Sequence, residues 1–170
     1  AAQYARKNNI PYFGICLGLQ IAIIEYARNV LGLADANSSE FQKHPVDPVI
    51  DIMEEQKKVT CLGGTMRLGA FECELTPGSI AAKAYKETTI SERHRHRYEL
   101  NNHYREALQK AGLNIVGINK KHDLVECIEL PDHPWFIGVQ FHPELKSRIG
   151  KAHPLFREFV AATLRVKGIK

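Results

Sequence analysis

The sequence has no apolar run long enough to cross a membrane. Its longest hydrophobic stretches fall far short of the roughly 20 residues that a membrane-spanning helix needs. It also has no charged leader followed by an apolar segment and a cleavage site, so no signal peptide is predicted. We therefore expect a protein that does not bind membranes and that works in the cytoplasm.

Closely spaced cysteines are also lacking. The chain has four cysteines, at positions 16, 61, 73 and 127, and no two of them have the spacing of zinc ligands. We expect neither a disulfide framework nor a metal site. Cys61, Cys73 and Cys127 lie in or beside strand-like segments, which is typical of small apolar core residues.

The sequence carries little net charge and no phosphate-binding loop. The 170 residues have a formal net charge of +4, too small and too scattered to indicate nucleic-acid binding. No Gly-x-x-x-x-Gly-Lys motif is present, and no internal repeat. With 44% hydrophobic residues, the chain can form one substantial core but not obviously two domains.

What the sequence does have is a cysteine at the end of an apolar strand. Cys16 follows Tyr12-Phe13-Gly14-Ile15 and precedes Leu17-Gly18, so a glycine stands two residues to either side of it. This pattern predicts a nucleophile elbow, a sharp turn from strand to helix. We expect the helix N-terminus to favour the thiolate form. The alternative is an ordinary buried cysteine.

A second group of reactive side chains follows another apolar run, Trp135 to Phe141. His142-Pro143-Glu144 comes directly after it and presents an imidazole and a carboxylate. A cysteine nucleophile needs a base, and the base needs a third group that fixes its orientation. Cys16, His142 and Glu144 can fill these roles. Taken alone, His142 is an ordinary surface histidine at a strand end.

The hydrophobic periodicity predicts an α/β fold, a three-layer sandwich with a mixed, largely parallel central sheet. The chain begins within a predicted helix, which favours the interpretation that it is a piece of a longer protein. The predicted helices span residues 1–9, 17–31, 77–85 and 102–111 and a C-terminal segment from 154, and the predicted strands span residues 10–15, 49–53, 66–75, 88–91, 113–119, 124–130 and 135–141.

The two motifs together resemble the class I, triad-type glutamine amidotransferase domain. Three further runs resemble the CTP synthase family within that group: 35–41, the glycine-rich run 63–69, and the arginine and histidine alternation of 92–99. The resemblance extends nearly end to end. It implies one glutamine amidotransferase domain over residues 1–170, lacking its N-terminal strands and the whole synthetase domain.

The resemblance also implies a glutamine site. Arg97 would bind the substrate carboxylate, while Glu40 and Gln20 would lie along its ammonium and amide groups. The elbow segment Leu17, Gly18 and Leu19 completes the implied set, with the Leu17 N–H as one oxyanion donor. A second donor comes, in this family, from a glycine loop upstream of the elbow, and this sequence does not contain it.

For the whole protein, the resemblance implies amination of UTP to CTP with ammonia released from L-glutamine. ATP and Mg²⁺ would bind the synthetase domain, and this domain itself would need no cofactor. GTP is an expected allosteric activator, with Thr65 and Arg67 as candidate contacts. A homotetramer is also expected.

Several alternatives stay open at this point. A related cysteine hydrolase, such as a γ-glutamyl peptidase, would share the elbow and the His-Pro-Glu motif. A fragment without catalytic activity could serve only in binding or assembly. The run Arg93 to Arg97 could contact nucleic acid, and His94 with His96 could bind a metal, since residues two apart share a strand face.

Overall fold

The computed structural model describes residues 1–52 and 66–169. Its helices and strands, in chain order, are α1 (Ala2–Lys7), β1 (Tyr12–Ile15), α2 (Leu17–Asn29), β2 (Ala36–Ser38), β3 (Asp47–Ile52), β4 (Arg67–Leu75), α3 (Ile80–Tyr85), β5 (Thr89–His96), β6 (Tyr98–Leu100), α4 (Arg105–Lys110), β7 (Asn114–Asn119), β8 (Leu124–Glu129), β9 (Phe136–Val139) and α5 (Pro154–Val166). Short 3-10 helices span Asn102–Tyr104 and Pro143–Leu145. The predicted helices and strands are present within a few residues, except that β2 and β6 were not anticipated. Residues 63–65 of the glycine-rich run lie outside the described residues.

Local sequence signals explain where the helices begin. The Ser79 hydroxyl accepts a hydrogen bond from the Ala82 N–H at 3.0 Å and caps α3. Pro154 occupies the first turn of α5, where its missing N–H costs nothing, and His153 Nδ1 accepts from the Leu155 N–H. Both helices pack into the same apolar cluster, on one face of the sheet.

The larger sheet has the strand order β1-β9-β8-β7-β4-β5. β1 and β9 are parallel neighbours, with Ile15 opposite Val139. This register brings the residues that follow the two strands, Cys16 and Gln140, to the same level at one edge of the sheet. The ends of the two motifs therefore meet although more than a hundred residues separate them.

The sheet is mixed, as predicted, but the expectation that it is largely parallel is wrong for the described strands. Every other neighbouring pair in the larger sheet is antiparallel. Parallel neighbours need a crossover of a dozen or more residues, and the connections β7–β8 and β8–β9 are far shorter. Short hairpin connections therefore set the pairing.

Helices cover both faces of this sheet, which confirms the three-layer arrangement. Successive residues of β9 show it: Phe136 packs into one apolar cluster and Ile137 into the other. The first cluster includes Leu19 and Ile23 of α2, and the second includes Leu155 of α5. Because both faces of β9 are buried, the strand that carries the His142 motif is firmly held.

A smaller sheet has the order β2-β3-β6 and lies on the α2 side. β2 and β3 are parallel, whereas β3 and β6 are antiparallel. The carboxyl end of β2 and the amino end of β6 consequently lie at the same end of this sheet, on either side of β3. Glu40 follows β2 and Arg97 precedes β6, so this end carries both predicted substrate-binding charges.

Candidate active site

Cys16 lies at a strained turn between β1 and α2. Its backbone angles are φ +50° and ψ −100°, a left-handed conformation that residues other than glycine rarely adopt. The Cys16 N–H donates to the Val139 carbonyl at 2.7 Å, so the turn is tied to β9. The predicted nucleophile elbow is therefore present, and such strain is typical of functional sites.

Gly14 is the glycine that this turn requires. A Cβ at position 14 would lie 2.7 Å from the backbone C and O atoms of Gly18, closer than real contacts allow. The Tyr12 hydroxyl donates to the Gly18 carbonyl at 2.6 Å and holds the first turn of α2 against β1. A Cβ at Gly18 would meet only that hydroxyl, at 3.6 Å. The steric requirement thus falls on Gly14.

Burial changes the acid–base behaviour of the Cys16 thiol. Desolvation raises the pKa of Cys16 to about 11, and the carboxylates of Glu99 and Glu144 add to this rise. The Leu17 N–H and the Gln140 side chain lower the pKa but do not compensate. The N–H at the helix N-terminus thus favours the thiolate, as expected, but burial outweighs it in the resting protein.

His142 and Glu144 form a close pair in the turn after β9. His142 Nδ1 lies 2.5 Å from Glu144 Oε1, and a carboxylate can only accept, so Nδ1 carries the hydrogen. This leaves Nε2 as the basic atom of a neutral ring. Nε2 is buried and has no hydrogen-bond partner in the described part of the chain. The His142 backbone N–H donates to the Arg93 carbonyl at 2.8 Å, which anchors the turn to β5.

The three candidate catalytic residues lie at the same edge of the sheet. Gln140, level with Cys16 in the β1–β9 register, places its Nε2 3.6 Å from Cys16 Sγ. His142 follows Gln140 by two residues, and the charge of Glu144 acts on the thiol. The arrangement provides a thiol, a base with one unoccupied nitrogen, and a carboxylate that orients the base.

The predicted glutamine-binding residues of the elbow differ in exposure. Leu17 is exposed and Gly18 is half-buried at the start of α2. Leu19 and Gln20 have buried side chains, and Leu19 packs into the core. Contacts of Leu19 with a substrate would therefore involve its backbone.

The two predicted charged contacts lie at the edge of the smaller sheet. Glu40 is exposed and its backbone N–H donates to the Ser38 hydroxyl at 3.1 Å. Arg97 is half-buried and is followed directly by Tyr98, whose carbonyl accepts from Gln20 of α2. Gln20 thus links the Arg97 segment to the helix that starts at Cys16.

Sequence reasoning missed the side chain of Gln140. This residue belongs to the run Gln140 to Glu144, yet only its neighbours were assigned chemical roles. Its position one residue beyond the end of β9 could have indicated it, since Cys16 stands one residue beyond β1.

The alternation on β5 separates two sets of side chains. Arg93 and Arg95 are exposed, whereas His94 and His96 are buried on the opposite face. His94 Nε2 lies 2.7 Å from Glu126 Oε2, and His96 Nε2 lies 2.7 Å from Glu99 Oε1. No group of three metal-ligating side chains occurs among residues 1–52 and 66–169, so the metal hypothesis gains no support.

Arg67 completes this buried group. Its guanidinium pairs with Glu99 at 2.9 Å and with Glu126 at 2.7 Å, and only 5% of its side chain is exposed. Because both terminal nitrogens are engaged with carboxylates, Arg67 does not fit the predicted contact with a nucleotide. Thr65, the other candidate contact, lies outside the described residues.

Within the described ranges, no helix is long and apolar enough to span a membrane.

Comparisons with known proteins agree with this geometry. Residues 1–162 match the family model for class-I glutamine amidotransferases. The CTP synthase of Flavobacterium johnsoniae is 57% identical over 164 residues, which are 96% of this chain and 30% of that protein. The CTP synthase of Geobacter sulfurreducens is 60% identical over 164 residues, 96% of this chain and 31% of that protein. The chain thus spans about 30% of the length of these curated relatives.

Solved structures show the same fold. The glutaminase domain of Trypanosoma brucei CTPS with bound acivicin has a TM-score of 0.89 and 44% identity, covering 96% of this chain and 64% of that chain. A glutamine amidotransferase from Thermotoga maritima is 15% identical, with a TM-score of 0.50. The match covers 99% of this chain and 54% of that chain, and it shows a likeness in fold alone. On the matched family model and these identities, the chain belongs to the class-I glutamine amidotransferase family.

Proposed function

We propose that this domain hydrolyses L-glutamine to glutamate and ammonia, with Cys16 as nucleophile, His142 as general base and acid, and Glu144 as the residue that orients His142. The observation that carries the proposal is the strained elbow of Cys16 after β1 together with the Glu144-bound imidazole in the turn after the neighbouring parallel strand β9. The likeness to CTP synthases and to an acivicin-bound glutaminase domain supports glutamine as the substrate.

The first step transfers the Cys16 proton to His142 Nε2 while Sγ attacks the side-chain carbonyl of glutamine. A base is needed because the thiol, with its pKa raised to about 11 by burial, is protonated at neutral pH. The free Nε2 can accept this proton, and Glu144 stabilises the resulting imidazolium. His142 then protonates the departing ammonia, and a glutamyl thioester remains on Cys16.

The Leu17 N–H is the proposed oxyanion donor within this chain. It stands at the start of α2, where backbone N–H groups have no partner inside the helix. One such donor contributes about 3 kcal/mol to transition-state stabilisation in comparable sites. Water activated by His142 then hydrolyses the thioester, which releases glutamate and regenerates the Cys16 thiol.

The substrate charges would be met at the edge of the smaller sheet. Arg97 is proposed to bind the α-carboxylate and Glu40 the ammonium group. Glu40 follows β2 and Arg97 precedes β6, with β3 between the two strands, so both charges lie at the same end of the smaller sheet. Opposite charges at one end of a sheet suit the two charged groups of one amino acid.

We further propose that the naturally occurring protein uses the ammonia for ATP-dependent amination of UTP to CTP, as the names of its relatives suggest. Binding of ATP and Mg²⁺ would then belong to a synthetase domain, and GTP activation, a homotetramer and a cytoplasmic location stay predictions. The part of the chain described here contributes glutamine hydrolysis to that reaction.

Replacement of Cys16 by alanine tests the proposal in the naturally occurring protein. We expect Cys16→Ala to abolish release of glutamate from glutamine while CTP formation from added ammonia continues. Cys73→Ala is the matched control, since Cys73 is a buried strand cysteine remote from the elbow, and it should keep glutaminase activity if the protein folds. Unchanged glutamate release by Cys16→Ala would refute the assignment, and preferential cleavage of γ-glutamyl peptides would favour the peptidase alternative.

A further inference from the structure

The side-chain amide of Gln140 contacts the sulfur of Cys16. Its Nε2 lies 3.6 Å from Sγ, within hydrogen-bond range for a sulfur acceptor. None of the roles assigned to the triad or to substrate binding uses this amide. We propose that Gln140 is a further catalytic residue, whose side-chain N–H donates to the Cys16 sulfur while negative charge develops on it. This inference deepens the proposed function and rests on it.

A chain of hydrogen bonds determines which end of the Gln140 amide faces the sulfur. The Tyr98 backbone carbonyl can only accept, so the Gln20 atom 2.8 Å away must be the donor Nε2. That same Nε2 lies 3.2 Å from the Gln140 amide, which must therefore present its oxygen to Gln20. The nitrogen of Gln140 consequently faces Cys16, and the assignment does not depend on telling amide oxygen from nitrogen directly.

Burial holds this donor in place. The Gln140 side chain is 0% exposed and Gln20 is 3% exposed. The Gln140 backbone N–H donates to the Glu126 carbonyl at 2.9 Å, so main chain and side chain are both fixed. A fixed dipole in a buried site interacts with a developing charge more strongly than it would in water, and it needs no reorganisation during the reaction.

The amide would act at both stages of the reaction. In the first, the Sγ–H proton moves to His142 Nε2, the sulfur electron pair forms the bond to the glutamine carbonyl carbon, and the C–N bond breaks as ammonia leaves with the proton from His142. In the second, water gives a proton to His142 and its oxygen bonds to the thioester carbon. The C–S bond then breaks, its electrons return to the sulfur, and the sulfur takes the proton from His142. The sulfur carries partial negative charge as the first stage begins and as the second stage ends. The Gln140 N–H opposes the carboxylates of Glu99 and Glu144, which disfavour that charge.

The pH dependence of Cys16 alkylation by iodoacetamide tests the inference without glutamine. Gln140→Met keeps the length of the side chain and removes the donor. We expect its alkylation at neutral pH to be about tenfold slower, with the midpoint of the pH profile about one unit higher. Gln140→Glu keeps the shape and replaces the N–H donor by a second acceptor when ionised, so its midpoint should rise at least as far. Peptide mapping identifies Cys16 as the labelled site.

Two further variants separate catalysis from structure. Asn119→Leu removes another buried amide, which donates to the Glu72 carbonyl away from the elbow, and should leave the Cys16 profile unchanged. Gln20→Met removes the group that orients Gln140, and combined with Gln140→Met it should add nothing to the shift in midpoint. If Gln140→Met does not fold, Gln140→Glu and Gln20→Met carry the same test. The carboxylates that act on Cys16, Glu99 from β6 and Glu144 from the turn after β9, are retained throughout, as is His142.

An unchanged alkylation profile in folded Gln140 variants would overturn the inference. So would a rise in KM for glutamine with unaltered kcat and midpoint, because that pattern indicates substrate binding. The two proposals fail in different ways. A shifted alkylation profile in a protein that hydrolyses no glutamine would refute the proposed function alone. Normal hydrolysis with an unshifted profile would refute the role of Gln140 alone.

Discussion

Replacing Arg67 by methionine should destabilise the fold far more than loss of an ordinary surface ion pair. Arg67 is the cation shared by Glu99 and Glu126, and all three side chains are at least 95% buried. Methionine fills similar space without the charge. Arg67→Met therefore leaves two carboxylates in the interior with fewer partners, which is the costly way to break a buried ion pair.

The magnitude follows from what each carboxylate keeps. Removing one partner of a buried ion pair usually costs about 3–5 kcal/mol. Glu126 keeps His94, whose two ring nitrogens lie within hydrogen-bond distance of the Glu126 carboxylate and the Glu92 carbonyl. Glu99 keeps His96. We therefore expect a loss near the lower end, about 3 kcal/mol in the free energy of unfolding.

Urea denaturation at neutral pH measures this loss. Arg105→Met is the matched control, because Asp123, its partner at 2.7 Å, is 70% exposed and the pair should contribute less than about 1 kcal/mol. A loss below 1 kcal/mol for Arg67→Met, or one equal to that of Arg105→Met, would refute the reasoning.

The same argument gives a pH dependence. Burial alone would raise the pKa of Glu126, but His94 and Arg67 hold it below its ordinary value of 4.5. A carboxyl with a lowered folded-state pKa stabilises the protein above that ordinary value, and the contribution disappears as pH falls through the folded-state pKa. The difference between wild type and Arg67→Met should therefore be largest near neutral pH and shrink below about pH 4.5.

Two further predictions concern the site. Gly14→Ala should slow labelling of Cys16 by an electrophilic glutamine analogue and lower the free energy of unfolding by about 1–3 kcal/mol. The reason is that the added Cβ would lie 2.7 Å from the Gly18 backbone. Full labelling at unchanged stability would contradict the close packing. Glu144→Gln should lower kcat for glutamine hydrolysis by about 10²- to 10⁴-fold with little change in KM. The reason is that Glu144 accepts the Nδ1–H of His142 at 2.5 Å. A loss of less than threefold in steady-state kcat would exclude this role.

The elbow and the β7–β8 hairpin could be predicted because both are local. Gly14, Cys16 and the start of α2 are consecutive in the chain, and the hairpin strands are joined by residues 120–123 alone. β2 and β6 could not be predicted in this way. Each is three residues long, and each exists because β3 lies beside it. Their pairing depends on contacts between distant parts of the chain, which periodicity does not reveal.

The buried charges show the same division. Alternation along β5 predicted that His94 and His96 share a face, and they do. Their partners come from β6 and β8, so nothing in the β5 sequence indicates that carboxylates rather than a metal face the two rings. Arg67 shows the same limit. The family resemblance implied a nucleotide contact for it, whereas the fold places Glu99 and Glu126 against its guanidinium.

The Cys16 thiol shows why a correctly located residue can still have an unexpected charge state. The elbow predicted a helix N-terminus beside the sulfur, and that prediction is confirmed by the position of Cys16 at the start of α2. The pKa depends on more than this one interaction. Burial and two carboxylates raise it to about 11, against the lowering effects of Leu17 and Gln140. A nucleophile that rests as a thiol must lose its proton as it reacts. The contact between His142 and Glu144 therefore matters for the proposed chemistry, because it occupies Nδ1 and leaves Nε2 free to accept the proton.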